Sequence, residues 1–302
     1  MKRKIVKQGH NAMTLTLPIS WIKEQNISAG DELDVEQKGK DLIIRREHSG
    51  IVDKTTFSMH GKGKFIHRHL SVLYRLGYDE IRIEFDDPSM VDKIQSEIEG
   101  MPGFEIVDQG ENYCVIKNIS TGLEKEFDNI LRKIFLNIQY CGEQSLQFIK
   151  QSQFSKLESL KQMHRVNNRL PNFCERMLKK EGYKDFRKTI LVYEMVCGME
   201  QIGDYYNNIF VQLLGQTEKK KEPKLSKEVL ELYERTNKIF ESYYKLFYSF
   251  DADKLSDLKE HCLDNINKTK ELIEKKNDLD ANILLNLNLI NERIYHMTES
   301  LI

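Results

Sequence analysis

From residue 1 to 48, apolar and polar residues alternate in short runs, "RKIVKQG", "MTLTLP", "DELDVEQ" and "DLIIRRE". This is the period-two pattern of half-buried strands. Gly9-His10-Asn11, Ala29-Gly30-Asp31 and Lys38-Gly39-Lys40 supply the turns between them. A short amphipathic segment, "ISWIKEQN", follows Pro18 and predicts a helix of a turn or two, with Ser20 as its expected cap. Four short strands and so small a helix hold too little apolar surface for a stable lone monomer, so a second copy is expected to complete the unit.

The pattern then changes period. Between 50 and 120, "TTFSMHG" and "YDEIRIEF" read as strands, and "GKFIHRHLSVLYRLG" and "PSMVDKIQSEIEG" as helices. "FEIVDQG" and "ENYCVIKNI" form a strand pair turning at Gly110, giving a small α+β layer. Beyond Leu123 the apolar residues recur at three and four spacings. The runs are Leu123, Phe127, Ile130, Leu131, Ile134 and Ile138; then Leu157, Leu160, Met163, Val166 and Leu170; then Ile190, Val196, Met199, Ile202, Ile209 and Leu213. A polar link, "GQTEKKKEPK" at 215–224, is expected to bury nothing, and three further helical runs follow at about 225–250, 253–277 and 279–302. Two sets of three helices point to an internal repeat.

Composition narrows the class. Forty-six Lys and Arg against 47 Asp and Glu leave a net charge of -1, so any charge signal must be local. No apolar run spans a bilayer and no leader pattern opens the chain, from which a cytoplasmic protein that is not membrane-embedded is expected. The five cysteines are odd in number and lack a C-x-x-C, so they read as small core residues under reducing conditions. No phosphate loop, nucleophile elbow or H-E-x-x-H stands anywhere, and no enzyme is expected.

Local charge is uneven at the start. Residues 1 to 23 carry Lys2, Arg3, Lys4, Lys7 and Lys23 and no acid, whereas 24 to 36 carry Glu24, Asp31, Glu32, Asp34 and Glu36. Positive charge on the first strand and its loop suits contact with phosphates. "HGKGK" at 60–64 is a candidate anion cradle, although such a segment is more often only a turn. His67 and His69 point apart on a helix.

In the helical half, "MEQIGDYYNNI" places Glu200 four residues before Asp204, two like charges that repel on one helix face unless something lies between them. "INERIYHMTESL" repeats the spacing with Glu292 and His296. The preceding helices align "HRVNNRL" with "DNINKTK", setting His164 against Asp264. Ligand types at i and i+4 are how bundles build carboxylate and imidazole metal sites. The competing reading is a structural polar patch in which Glu200 and Asp204 pair with basic or amide groups across the bundle. "FESYYKLFYSF" at 240–250 reads as core.

Two resemblances follow. The order "RKIVKQG … TLTLP … W … AGDELDVE" resembles the swapped-hairpin DNA-binding domain of the AbrB/MazE/SpoVT family, whose members pair as intertwined dimers. That resemblance implies DNA contacts at Lys2, Arg3, Lys4, Lys7, His10 and Asn11. "EQIGD" and "ERIYH" resemble the E-R-I-G-D signatures of the PhoU phosphate-uptake regulators, which implies a divalent or ferric metal held by Glu200, Asp204, Glu292, His296 and Asp264. The family pattern would place a further acidic pair where this chain has His164 to Asn168, and an aspartate where it has His296. The expected fold class is thus multidomain α+β: a swapped-hairpin β domain at 1–48, a small α+β domain at 50–120, and an all-α PhoU-like bundle of two three-helix repeats at 123–215 and 225–302. The expected function is a phosphate-responsive, homodimeric, DNA-binding regulator, or else a dimeric adaptor without DNA. A phosphate transporter's ATPase or a sensor kinase is the implied protein partner.

Overall fold

The computed structural model describes residues 2–10, 12–38, 41–46, 53–59, 65–120, 122–219 and 222–302. The chain divides into two compact units, Met1–Val52 and Asp53–Ile302.

In the first unit, strand β1 (Ile5–Gln8) pairs antiparallel with β2 (Ala12–Leu15), Ile5 opposite Leu15, around a turn in which Gly9 takes a φ of 71°. That left-handed value favours glycine. Helix α1 (Ile19–Glu24) is entered through Pro18, which stands at the cap position in extended backbone, so Ser20 lies inside the helix rather than capping it. Strands β3 (Leu33–Lys38) and β4 (Asp41–Arg46) form a second antiparallel pair. Among the described residues of this unit none is buried. Ile5 and Val6, neighbours that point to opposite faces of β1, are 68% and 58% exposed.

The second unit begins with a four-stranded sheet in the order β5-β6-β8-β7, formed by β5 (Lys54–Ser58), β6 (Glu80–Glu84), β7 (Phe104–Gln109) and β8 (Tyr113–Asn118). β5 and β6 run parallel, joined through α2 (Ile66–Arg75); the other pairs are antiparallel, and α3 (Met90–Ile98) links β6 to β7. Ile81 and Ile83 of β6, Leu70 and Tyr74 of α2 and Ile94 of α3 are fully or nearly fully enclosed in a core of their own. Leu70 and Tyr74 stand one helical turn apart, the spacing that keeps one face of α2 on the sheet.

The remainder is helical: α4 (Phe127–Lys150), α5 (Leu157–Asn167), α6 (Arg169–Glu181), α7 (Thr189–Glu218), α8 (Lys227–Tyr248), α9 (Ala252–Ile273) and α10 (Asp278–Met297). The apolar run Leu157 to Leu170 predicts one helix, but the structure interrupts it at Asn168. Pro171 explains the break, because it offers no N–H to the carbonyl four residues earlier. α7 continues to Glu218, so the expected link is helical over its first residues, and within it Pro223 is buried. Phe135 packs its ring against Phe240, Tyr243, Tyr244 and Phe247, which places most of the aromatic segment in the core, while Tyr248 and Phe250 are exposed. Cys114, Cys141, Cys174 and Cys262 are buried and all five cysteines are free thiols.

Close helix approaches depend on small residues. A Cβ on Gly142 of α4 would stand 2.7 Å from Asn237 Oδ1 and 2.8 Å from the Tyr206 hydroxyl. The bare position lets Asn237 Nδ2 donate to the Gly142 carbonyl at 2.8 Å and the Tyr206 hydroxyl donate to Asn237 Oδ1 at 2.7 Å, tying α4, α7 and α8 together. A Cβ on Gly198 of α7 would meet Met297 Sδ of α10 at 2.5 Å.

The sheet layer and the bundle meet through charge. Arg176 of α6, fully enclosed, donates from Nη1 to the carbonyls of Tyr74 and Tyr78 at 2.8 Å each and from Nη2 to Asp79. Lys180 adds two bonds to the same carboxylate at 2.6 and 2.7 Å. Burial pulls the Arg176 guanidinium below its ordinary pKa, and Tyr74 and Asp79 counter the effect. Asp79 thereby neutralises a buried cation, which would otherwise be costly to desolvate.

Candidate functional site

Helix α7 presents Tyr193, Cys197, Glu200 and Asp204 at successive turns of one face, against α5, α6 and the end of α2. Across from them stands Glu175 of α6, which has no exposed surface. Its Oε2 accepts from Arg75 Nη1 of α2 at 3.1 Å and from the Tyr193 hydroxyl at 2.9 Å, while its Oε1 is buried without a hydrogen-bond partner. Glu175 lies in the apolar stripe Leu170, Phe173, Cys174, Leu178 of α6, so an acid where the pattern calls for an apolar residue was its only signal in the sequence. Nothing in the sequence marked Arg75, a hundred residues distant, as its partner.

Glu200 is partly enclosed. Burial, then the negative charges of Glu175 and Asp204, push its carboxyl up to about 7; Arg75 and His67 act in the other direction. Asp204 is also raised by burial, opposed by His164. His164 Nε2 stands 3.2 Å from Asp204 Oδ1, and burial lowers the imidazole's pKa against the pull of that carboxylate. Gly203 lies under this ring: a Cβ there would be 3.5 Å from Nε2, ordinary contact distance. Arg165, one residue away from His164, is exposed.

Between α4, α5, α6 and α7 a cleft of about 50 Å³ opens beside these groups. Ile134, Ile138, Cys141, Met163, Pro171 and Met199 give it apolar walls, and Asn137, His164, Asn168 and Glu200 are its polar groups. Asn137 Nδ2 is buried and makes no hydrogen bond.

The corresponding residues of the second helical set are arranged differently. Asp264 of α9 accepts from Arg235 of α8 and from Lys268 at 2.9 Å. These bonds, Lys268's foremost, hold its carboxyl below the usual range. Glu292 of α10 accepts from Asn288 at 2.9 Å and pairs with Lys270 at 3.0 Å. Burial pushes its pKa upward, but the bonds from Lys270 and Asn288 outweigh that and leave it lowered. His296 is exposed, with its ring edge against Tyr295. The structure thus gathers Glu200 and Asp204 with His164 and Glu175, and gives Asp264 and Glu292 to basic side chains. Among the described residues no group of three or more His, Cys, Asp and Glu is placed to hold a metal ion.

At the other end of the chain, Lys2, Arg3, Lys4, Lys7 and His10 are all exposed, on β1 and beside it. Asn11 and the 60–64 segment lie outside the described residues. His67 Nδ1 faces Glu97 and His69 Nδ1 bonds the Phe65 carbonyl, so these two histidines have separate partners. No helix among the described residues is long and apolar enough to cross a membrane. No family model matches the chain, and neither curated proteins nor solved structures give a significant match.

Proposed function

We propose that this chain is a homodimeric, phosphate-responsive regulator that binds DNA through its N-terminal unit and regulates phosphate uptake through its helical half. The observation that carries the reading is the first unit itself: two hairpins with no buried residue among those described, apolar side chains open on both faces of β1, and Lys2, Arg3, Lys4 and Lys7 exposed along one end. Strands so uncovered need a partner to remove their apolar surface from water, and a second copy would double the basic stretch that meets phosphates. The phosphate link rests on the likeness of "EQIGD" and "ERIYH" to the PhoU signatures, on α7 and α10, the last helices of a set of four and a set of three. Its partners would be a phosphate transporter's ATPase or a sensor kinase. Partner or ligand binding to the bundle must favour one arrangement of the dimer for DNA affinity to respond.

The same uncovered strands also favour a second reading, in which the first unit only dimerises and the bundle acts on a transporter by protein contact. Fluorescence anisotropy with duplex DNA from the chain's own promoter region separates the two. The regulator binds with a log–log salt slope of about -3 or steeper, as expected for several neutralised phosphates, and Lys4→Glu with Lys7→Glu abolishes the signal. A chain that light scattering shows to be dimeric, yet that does not bind at low salt, is the adaptor.

A further inference from the structure

Where α4 begins and α6 ends, the structure holds a cavity of about 170 Å³ lined by Phe127, Asp128, Met177, Glu181, Tyr183 and Lys184. That volume exceeds roughly tenfold the least space a water molecule needs. The rings of Phe127 and Tyr183 stand at a steep angle to one another, with centroids 6.1 Å and planes 62° apart. Met177 adds an apolar wall, and Asp128 and Glu181 contribute two carboxylates. A cation is already drawn to this place. Lys184 Nζ lies 5.4 Å from the Tyr183 ring centroid, within the range of cation–π attraction, and 3.9 Å from Asp128 Oδ1. The Lys184 and Asp128 side chains are both 69% exposed, so this ammonium rests on the rim of the cavity and can move off into water.

We infer that this cavity binds a small quaternary ammonium cation of the choline type, with its methyl groups against the rings of Phe127 and Tyr183 and its charge facing Asp128 and Glu181. This goes beyond the regulator reading and does not depend on it, since no part of the test involves DNA.

The chemistry of the walls selects this class of ligand. A primary ammonium is a compact, strongly hydrated charge that gives up its water reluctantly. A methylated ammonium spreads its charge over apolar methyl groups, which suit ring faces with carboxylates beside them. The ligand displaces Lys184 from the Tyr183 ring and takes over its partners. An anion would approach Asp128 and Glu181 against their charge, and so would the phosphate of a lipid head group.

The test is a titration of the full chain, labelled at the methionine methyl groups and held at constant ionic strength, with choline chloride followed by NMR. Met177 reports on the cavity and is assigned by Met177→Leu; Met163 and Met199, in the separate cleft between α4, α5, α6 and α7, are the controls. A saturable shift of the Met177 signal is expected, at a dissociation constant on the order of 1 mM for so small a ligand, while Met163 and Met199 stay in place. Neohexanol has the shape of choline without the charge, and n-propylammonium has the charge without the methyl groups. Each should bind at least about fivefold more weakly than choline. Tyr183→Leu and Asp128→Asn should each weaken choline binding about two- to fivefold. Lys184→Gln should tighten it by a similar factor, because the resident ammonium no longer competes for the ring. Equal affinity for neohexanol or n-propylammonium would overturn the proposal, as would a Met177 signal that does not saturate. So would choline binding that is unchanged in both Tyr183→Leu and Asp128→Asn, or weakened in Lys184→Gln. Tighter binding of monomeric dihexanoylphosphatidylcholine than of choline would assign the cavity to a lipid head group and overturn it as well. Asp128 and Lys184 are exposed side chains, so Asp128→Asn and Lys184→Gln, checked by circular dichroism, keep the result readable should Tyr183→Leu fail to fold.

Discussion

On α7, Glu200 shares its surroundings with Glu175 and Asp204 and is driven toward its neutral form; on α10, Glu292 has Lys270 and Asn288 beside it and is held ionised. The spacing along the two helices is the same, yet the chemistry is opposite. The middle helices show the same contrast. His164 of α5 is enclosed and pairs with Asp204, whereas Asp264 of α9 lies between Arg235 and Lys268 at the surface. An i, i+4 pair therefore marks a face and nothing more. The residues that neighbouring helices bring to that face decide whether burial and like charges drive its carboxyl toward the neutral form, as for Glu200, or solvated ion pairs hold it ionised, as for Glu292.

The contrast can be broken at its anchor first. Arg176 ties the first helical set to the sheet layer through buried bonds. Arg176→Ala leaves Asp79 and two carbonyls without that donor and should cost about 3–5 kcal/mol in urea unfolding, the range for breaking a buried pair. Gly142→Ala should cost about 1–3 kcal/mol through overpacking, because Tyr206 and Asn237 must give way.

Glu200→Gln should act in the opposite direction and with a pH signature. The folded carboxyl titrates near 7 against 4.5 for the ordinary group, so the folded state holds its proton more tightly. Stability from this residue is fully present below about 4.5 and is lost as pH rises through 7. The variant should therefore gain about 1–3 kcal/mol over the parent at pH 8 and nothing at pH 4, a range that allows for partial enclosure. Glu292→Gln sharpens the comparison at the smallest scale. Its carboxyl is lowered, so its contribution is present above the unfolded value and lost as pH falls below it. With its side chain 36% exposed, solvent screening limits the loss at pH 7 to about 0.5 kcal/mol. A parent chain whose stability changed equally on removing either carboxylate would erase the distinction between the two sets.

Much of this fold was legible because burial leaves a period in the sequence. β6 alternates half-buried and buried along "EIRIE", and α2 repeats its buried face every fourth residue. The break at Asn168 is written in the sequence too, as Pro171 within the apolar run that crosses it. The site was only half legible. Glu200 and Asp204 announce themselves by spacing, and His164 by its place in the repeat, but aligning His164 with Asp264 gave no hint that it faces Asp204. Arg75 and Glu175 come from elements a hundred positions apart, and local periodicity carries no information about which helix ends meet. What the sequence did offer was a misfit, an acid inside the apolar stripe of α6, and such misfits are where polar chemistry enters a core.

Arg176 has a kinetic consequence as well. The Tyr74 carbonyl, which accepts from the Gly77 N–H at 3.0 Å at the close of α2, and the Tyr78 carbonyl just beyond it both gain a donor on a helix about a hundred residues later in the chain. Until α6 has folded and docked, the end of α2 has its local backbone bonds alone and lacks the reinforcement that Arg176 brings. Hydrogen exchange during refolding should then show the last amides of α2 gaining protection together with α6 rather than with the rest of their own helix.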